Sequence, residues 1–277
     1  MKKHFSLVLL VSMIAASAGA VDYKVNPLDA RNILEEAYNA IWNAGFLIPD
    51  AESDFIKAEK GAPTYGEIVW DSAAELFKEL KLTKKDVFYD LGCGTGKLVA
   101  QAYMQTPVKK AVGVDLSRTR LTHAQSVQEG IISQANKVLG KKKFKKKKWE
   151  YRLENILETS IDDATVVYLG STCYSDELMQ GLTDRLAECK SGLRVLTLKQ
   201  LSFHPDFKLV KTYNLPMTWS SGSPVYSYKL EKKKKSKNHK DKKNDKKHKK
   251  SSKEERTSSS DTTQVAVVKK TTSKEVA

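Results

Sequence analysis

The segment from Val87 to Gly96 constrains the fold of this chain more than any other. An apolar run, Val87–Leu91, is followed by glycines at every second position: Gly92, Gly94 and Gly96. This pattern predicts a buried strand that turns sharply, because glycine has no Cβ and lets the backbone bend and approach a ligand. In open α/β sheets, ligands bind beyond the carboxyl ends of the strands, where this loop would lie. The segment therefore predicts a parallel α/β sheet with a ligand site at one edge.

Two acidic residues indicate which ligand the loop accepts. Asp90 precedes the glycines, and Asp115 ends the next predicted strand, Ala111–Val114. A carboxylate at the second position can accept hydrogen bonds from both ribose hydroxyls of a nucleoside. The dinucleotide motif G-x-G-x-x-G requires a glycine where the chain has Lys97, and the spacing of a P-loop is absent. Asp90 suits the ammonium of a methionine moiety better than a pyrophosphate. The pattern thus favours S-adenosylmethionine.

The rest of the chain predicts an α/β, Rossmann-like fold of the class I S-adenosylmethionine-dependent methyltransferase type. We expect a seven-stranded, mostly parallel sheet with a C-terminal antiparallel hairpin and N-terminal accessory helices. Ser117 is the expected cap of a long helix that buries Leu121, Ala124, Ile131, Ala135 and Val138. The other predicted elements are an accessory helix over Leu28–Phe46, a loop over Asp50–Asp54, helices over Ser72–Leu80, Gly96–Tyr103 and Asp176–Ala187, strands over Thr165–Leu169 and Leu193–Leu198, and a hairpin of Phe207–Tyr213 and Val225–Leu230 around a turn at Ser220–Pro224.

The positive charge of the chain is confined to two segments. The net charge is +15, and residues 141–148 and 231–277 together account for +17, so that the remainder carries −2. This distribution indicates electrostatic segments attached to a nearly neutral body. Residues 231–277 contain too few apolar side chains to offset the entropy of ordering, so we expect a disordered lysine-rich tail. Its chemistry suits nuclear targeting and nucleic-acid binding.

The first twenty residues have the pattern of a secretory signal peptide. Lys2 and Lys3 precede an apolar run, Leu7–Ala16, and Ala18-Gly19-Ala20 is a small-residue cleavage site. The run is too short to span a bilayer, so we expect no stable membrane insertion after cleavage. The predicted organisation is a signal peptide (1–20), a helical accessory segment (21–62), a methyltransferase domain (63–230) and the tail (231–277). Together, leader and tail suggest a secreted effector that reaches a host nucleus.

Five segments of the chain form a recognisable series. They are Tyr65-Gly66-Glu67-Ile68 upstream of the glycine loop, the loop itself, Gly113-Val114-Asp115, Val166-Val167-Tyr168, and the stretch Trp219–Val225. In this order they resemble the motifs of the non-SET histone-lysine methyltransferases of the disruptor of telomeric silencing (Dot-one-like) family. The resemblance covers residues 63–230 and implies methylation of a lysine on a nucleosomal core histone. It implies cofactor binding by Tyr65, Gly66, Glu67, Ile68, Phe88, Tyr89, Asp90, Leu91, Gly92, Cys93, Gly94, Thr95, Gly96, Lys97, Asp115, Asn155 and Ile156.

The chain departs from the family pattern at the acceptor side. The family has two asparagines where this chain has Gly170 and Ser171, and a channel tyrosine falls on Ser227. Methyl transfer to lysine needs a neutral amine, which apolar walls and the sulfonium charge favour by lowering the lysine pKa. We therefore expect Trp219 with Tyr226 or Tyr228 to form the walls, and Ser171 to orient the amine.

Other functions remain open from sequence alone. The chain could methylate another protein or a small molecule, although no Asn/Asp-Pro-Pro-Tyr or Pro-Cys motif supports a nucleic-acid base as acceptor. It could also be a degenerate module that binds the cofactor and docks on nucleic acid through its tail. Its three cysteines, Cys93, Cys173 and Cys189, form no C-x-x-C pair, so we expect no metal site.

Overall fold

The computed structural model describes residues 27–140, 144 and 146–233. The predicted leader and nearly all of the predicted tail lie outside these residues. Within the described part, no helix is long and apolar enough to cross a membrane. The elements are α1 (Pro27–Asn39), α2 (Asp50–Ala58), α3 (Trp70–Leu80), β1 (Val87–Leu91), α4 (Lys97–Gln105), β2 (Lys110–Asp115), α5 (Arg118–Ala135), β3 (Lys148–Leu153), β4 (Val166–Leu169), α6 (Asp176–Glu188), β5 (Arg194–Thr197), β6 (Phe207–Met217) and β7 (Ser220–Leu230).

The seven strands form one sheet in the order β3-β2-β1-β4-β5-β7-β6. Strands β1 to β5 are parallel, whereas β7 pairs antiparallel with both β5 and β6. The chain proceeds outward from β1 to β3 and then returns to the other side of β1 as β4. Because the strand order reverses there, a crevice opens beyond the carboxyl ends of β1 and β4. The predicted Rossmann-like sheet with its antiparallel hairpin is confirmed.

Strand β1 is buried along its whole length and holds the glycine loop in place. Successive residues face opposite sides of the sheet, as expected for a strand. Phe88 packs with Phe77 of α3 at a ring-centroid distance of 5.7 Å, and Tyr89 belongs to the core on the α6 side. Burying each such side chain contributes on the order of 1.5–3 kcal/mol. The loop that follows β1 is therefore anchored to the most tightly packed strand of the sheet.

The N-terminal region differs from the prediction. The segment predicted as a loop at Asp50–Asp54 forms the first half of α2, because Pro49 and the acidic residues of the first turn favour a helix start. Helix α1 ends at Asn39 and does not extend to Phe46, which is exposed in the turns that follow. The prediction of one helix over Leu28–Phe46 was wrong, because apolar residues continue at helical spacing through residues 40–46, which form turns.

The C-terminal hairpin and β3 also differ from the prediction. Residues 220–224, predicted as the turn, belong to β7, and the hairpin turns at Thr218-Trp219. Strand β3 was not predicted, because it is a half-exposed edge strand directly after a run of lysines. Ser117 caps α5 as predicted, since its hydroxyl accepts the N–H of Arg120 at 3.1 Å. Val138 is 59% exposed, because a π-helical turn follows α5 and rotates it away from the core.

Candidate active site

A cavity of about 300 Å³ lies beyond the carboxyl ends of β1, β2 and β4. Its volume is at the lower end of the range of small-molecule sites. The structure brings thirteen of the sequence-predicted residues to its wall. They are Tyr65, Gly66, Glu67, Ile68, Asp90, Gly92, Cys93, Gly94, Lys97, Asp115, Asn155, Ile156 and Trp219.

The glycine loop leaves no room for side chains at its central positions. Gly94 has φ +55°, and a Cβ there would overlap the ring of Tyr65. Gly92 has φ +90°, and its missing Cβ leaves space for the hydroxyl of Tyr174, which donates to the carbonyl of Leu91 at 3.0 Å. Both conformations lie in the left-handed region that favours glycine. The backbone of the loop is therefore exposed to the cavity.

Asp115 is held in a fixed orientation at the end of β2. One carboxylate oxygen accepts the N–H of Gly94 at 2.7 Å, and the other accepts the N–H of Ser117 at 2.8 Å. Burial raises the pKa of Asp115, while these hydrogen bonds and the charge of Arg120 oppose that rise. A carboxylate has about four acceptor positions. Two remain available, which suits a pair of adjacent hydroxyl groups.

Asp90 is a buried carboxylate that lines the cavity without a hydrogen-bond partner among the described residues. Burial, together with the negative charge of Asp115, raises its pKa to about 8. An unpaired carboxylate in such a position is costly unless a cation or a donor reaches it. The cavity thus presents one acidic group oriented by backbone amides and a second one that lacks a partner.

The segment Tyr65–Ile68, which we call the strap, closes one side of the cavity. The Tyr65 hydroxyl contacts the Glu67 carboxylate and lies 2.7 Å from the Thr95 hydroxyl, which attaches the strap to the glycine loop. The Arg120 guanidinium stacks over the Tyr65 ring at 5.0 Å. Lys97 forms an ion pair with Glu67 at 2.8 Å. These contacts place the strap directly against the loop.

The strap is also joined to the tip of the β6–β7 hairpin. The N–H of Thr218 donates to the Glu67 carbonyl at 2.8 Å, and the N–H of Glu67 donates to the Thr218 hydroxyl at 3.0 Å. The ring of Trp219 covers Gly66, where a Cβ would overlap it. Trp219 remains 46% exposed. It therefore forms a wall between the cavity and the solvent.

Other predicted residues support the cavity without lining it. Phe88 and Leu91 are fully buried in the two cores, and the Tyr89 hydroxyl donates to Asp163 at 2.7 Å. The Thr95 hydroxyl forms a hydrogen bond with the Tyr65 hydroxyl of the strap, and the Gly96 carbonyl accepts a hydrogen bond from the Tyr151 hydroxyl at 3.2 Å. The first three residues support the loop from β1, and the last two hold the loop itself in place.

The structure places three of the predicted catalytic residues away from the cavity. Ser171 is fully buried, and its hydroxyl shares a hydrogen bond with Thr197 at 2.8 Å and accepts the N–H of Lys199 at 2.9 Å. It therefore stabilises the chain after β5. Tyr226 and Tyr228 pack in the core on the α6 side of the sheet, because the alternation along β7 turns them to that face. Of the predicted four, only Trp219 reaches the wall.

Sequence reasoning missed several residues of the wall. Ile56 lies in α2 and Glu59 directly follows it. Helix α2 docks through Glu52 on the hydroxyls of Ser117 and Thr119. The acidic first turn after Pro49 was the available signal for this helix. Three others, Arg120, Tyr168 and Leu198, reach the cavity through tertiary packing, which no local pattern encodes.

The sheet order, the glycine loop and the acidic residue at the end of β2 define a Rossmann-like fold of the class I methyltransferase type. The chain belongs to the DOT1 family. The family model described as "Histone methylation protein DOT1" matches residues 54–244.

Curated relatives are similar over shorter stretches. The chain is 26% identical to the Drosophila melanogaster protein named "Histone-lysine N-methyltransferase, H3 lysine-79 specific", over 66% of this chain and 10% of that protein. It is 31% identical to a "Protein-lysine N-methyltransferase" of Saccharolobus islandicus, over 42% of this chain and 64% of that protein. The match thus spans less than two thirds of either relative. Among solved structures, an RNA methyltransferase from Salinibacter ruber is 20% identical, with a TM-score of 0.44, over 60% of this chain and 94% of that one.

Proposed function

We propose that this chain is an S-adenosylmethionine-dependent protein-lysine N-methyltransferase. The observation that carries the proposal is the pairing, in one cavity, of an oriented carboxylate with an unpartnered buried one. The first suits a ribose and the second suits the ammonium of a methionine moiety. Membership of the DOT1 family supports the same function.

The residues present fit this cofactor. Asp115 would accept the ribose hydroxyls, and Asp90 would pair with the ammonium of the methionine moiety. Asn155 and Ile156 lie on the wall near Asp115 and would hold the adenine, with the Asn155 side-chain oxygen held by the N–H of Leu157 at 3.0 Å. When bound, the cofactor supplies an electrophilic methyl group on a sulfonium. The strap and the Trp219 wall would exclude water from it.

The acceptor side of the cavity carries a hydroxyl that sequence reasoning overlooked. Tyr168 of β4 lies beside Asp90 of β1 in the sheet register and lines the cavity. Its hydroxyl has no hydrogen-bond partner among the described residues, and burial raises its pKa, so that it remains a neutral phenol. The adjacent Gly170 has no side chain where the family has an asparagine. We therefore assign to Tyr168 the alignment of the acceptor amine, with Leu198 and Trp219 as apolar walls.

Tyr168→Phe is expected to lower kcat about fivefold while leaving cofactor affinity and Tm unchanged. The variant removes one hydrogen bond, worth about 1 kcal/mol, and preserves the ring. Tyr228→Phe is the matched control, because Tyr228 lies in the core away from the cavity. Steady-state kinetics with saturating cofactor measures both. Equal activity of Tyr168→Phe and the parent would exclude the alignment role, and a loss confined to Tyr228→Phe would favour the wall predicted from sequence.

The acceptor we propose is a lysine of a nucleosomal core histone. The names of the animal relatives specify histone H3, whereas the name of the archaeal relative specifies only protein lysine. The test is transfer of a tritiated methyl group to nucleosomes, free histones and total cell protein, with Asp115→Ala as the inactive control. Labelling of nucleosomes above the other two supports the histone acceptor. Labelling of total protein alone indicates another protein. Cofactor binding without any labelling identifies a degenerate cofactor-binding module.

We also propose that the lysine-rich tail holds nucleic acid during this reaction. The support is compositional, since residues 231–250 contain 12 lysines and three acidic residues. Deleting residues 231–277 is expected to flatten the dependence of log Kd for DNA on log salt, because each lost phosphate contact removes about 0.9 from the slope. Anisotropy of labelled duplex DNA over 50–200 mM salt measures this. An unchanged slope would show that the tail makes no such contact.

The predicted leader and the lysine-rich tail together favour export of the protein followed by entry into the nucleus of a host cell. Such a route would return the enzyme to a compartment that contains its cofactor. Imaging of a tagged chain in producing and neighbouring cells tests it. Retention in the cytoplasm of the producing cell contradicts the proposal.

A further inference from the structure

Exposed lysines lie at the amino ends of three neighbouring strands, on the side of the sheet opposite to the cavity. They are Lys84 and Lys85 before β1, Lys109 before β2, and Lys146 and Lys148 around the start of β3. We call these five residues the lysine row. Because the cavity lies at the carboxyl ends of parallel strands, their amino ends form the other edge of the sheet.

The backbone aligns the row. The N–H of Lys109 donates to the Asp86 carbonyl at 2.8 Å, and the N–H of Lys148 donates to the Lys109 carbonyl at 3.0 Å. The three strands therefore begin in step, with a spacing of about 4.8 Å between neighbours.

The charges of the row are not neutralised by the body of the protein. Asp86 is engaged by Arg194 at 2.5 Å and by the Thr83 and Thr165 hydroxyls. Asp163 and Glu150 pair with Lys110, which we exclude from the row for that reason. Within the described residues, no member of the row has an acidic side chain at ion-pair distance. Asp162 and Asp163, which precede β4, limit the row on that side.

We propose that the lysine row binds the phosphate backbone of double-stranded nucleic acid. A row of cations about 10 Å across matches roughly three phosphates along one strand of a duplex. Single-stranded nucleic acid needs exposed aromatic side chains for stacking. In the described part of the chain, the exposed aromatic residues belong to other segments, namely Trp42, Phe46, Phe55, Phe203 and Trp219. Phe144, next to the row, stacks on Tyr103 at 5.3 Å and is half-buried.

The position of the row defines its role. Strands of five or six residues separate the row from the cavity by about 17–20 Å. A duplex on the row lies away from the methyl-transfer site and is a tether, not an acceptor. The acceptor is then presented to the opposite edge of the protein. The tethering role rests on the proposed enzymatic activity, whereas binding of a duplex to the row is measured without it.

The test compares two triple variants of the full-length chain. Lys85, Lys109 and Lys148 are changed together to Gln in the row variant. Lys57, Lys60 and Arg118 are changed together to Gln in the control, because these exposed cations lie within two residues, in sequence, of the cavity-lining Ile56, Glu59 and Leu116. The two variants lose the same charge and retain the tail. Anisotropy of a labelled 20-base-pair duplex is measured from 50 to 200 mM salt, and sedimentation with phosphatidylserine vesicles is measured in parallel.

The row variant is expected to bind DNA roughly ten times more weakly at low salt, with a salt slope reduced by about 2–3. The control is expected to retain the parental slope. Equal losses in the two variants would mean that only total charge matters, and no loss in the row variant would remove the row from DNA binding. Either result overturns the proposal. So does a loss of vesicle binding by the row variant with unchanged DNA binding, which would identify a membrane surface instead.

Discussion

Gly94→Ala is expected to weaken binding of S-adenosylmethionine at least about a hundredfold, a loss of about 2.7 kcal/mol. The added methyl group overlaps the ring of Tyr65, which cannot retreat because Phe46 packs against it at 5.1 Å and Arg120 at 5.0 Å. The ring must therefore move together with the strap, and the cavity loses its closed side. Isothermal titration with protein lacking residues 1–20 measures the affinity.

Gly192→Ala is the matched control for this prediction. Gly192 also has a left-handed backbone, with φ +98°, but nothing lies within 4 Å of the position its Cβ would occupy. Both variants place a non-glycine residue at positive φ, which destabilises the folded state by about 1–2 kcal/mol. Only Gly94→Ala should lose cofactor affinity. If both variants bind like the parent, the strap does not enclose the cofactor. If both lose affinity equally, backbone strain and not the Tyr65 contact is responsible.

The glycine loop could be predicted from sequence because its signals are local. A buried strand, alternate glycines and a carboxylate are contiguous from Val87 to Gly96, and the next acidic residue ends the next strand. The order of strands and helices then determines where the crevice opens. The positions of Asp90 and Asp115 therefore followed from the sequence before any tertiary contact was known.

The acceptor side could not be predicted in the same way. Ser171 was selected because it follows a core strand at a position where the family has an asparagine, but its hydroxyl turns inward to Thr197 and Lys199. Tyr226 and Tyr228 were selected by proximity in sequence, and the register of β7 directs them to the opposite core. From the sequence alone, Tyr168 looks like an ordinary aromatic residue of the core in a buried strand. Only the pairing of β4 with β1 places it beside Asp90.

Strand β3 shows a second limit of sequence reasoning. It follows a lysine run and lies at the edge of the sheet, so its side chains are half-exposed and lack the apolar alternation of a core strand. Its position is set by pairing with β2 along the whole of its length. The lysine row depends on this strand, and therefore could not be recognised as a row from the sequence.

The stability of the cofactor-free protein is expected to depend strongly on pH, because the carboxylate of Asp90 is buried without a partner. Its pKa in the folded protein is about 8, well above the ordinary value of 3.8. The folded state therefore binds more protons than the unfolded state between these values. The contribution of Asp90 to the free energy of unfolding is therefore most favourable below pH 4, where the carboxyl is protonated in both states. That contribution is lost as the pH rises through 8. Asp115, whose pKa is also raised, acts in the same direction.

Asp90→Asn is expected to stabilise the cofactor-free protein by about 1–3 kcal/mol at pH 8, because it removes a buried charge without a partner. The advantage should shrink towards pH 5, where the parent carboxyl is already protonated. The same change should weaken cofactor binding about a hundredfold, since the ammonium loses its counter-ion. In the parent, cofactor affinity should increase as the pH rises from 6 towards 8, because binding requires the ionised carboxylate.

Thermal unfolding of parent and variant from pH 5 to 9 measures the stability difference. The difference is the informative quantity, because burial lowers the pKa of Lys147 to about 7 and adds a dependence of opposite sign to both proteins. Titration calorimetry over the same range measures cofactor affinity. A variant that gains stability and loses affinity shows that Asp90 is kept unpaired for a cationic ligand. A variant that loses stability at pH 8 would mean that the carboxylate is already paired within the protein, and the assignment of the ammonium to this position would fail.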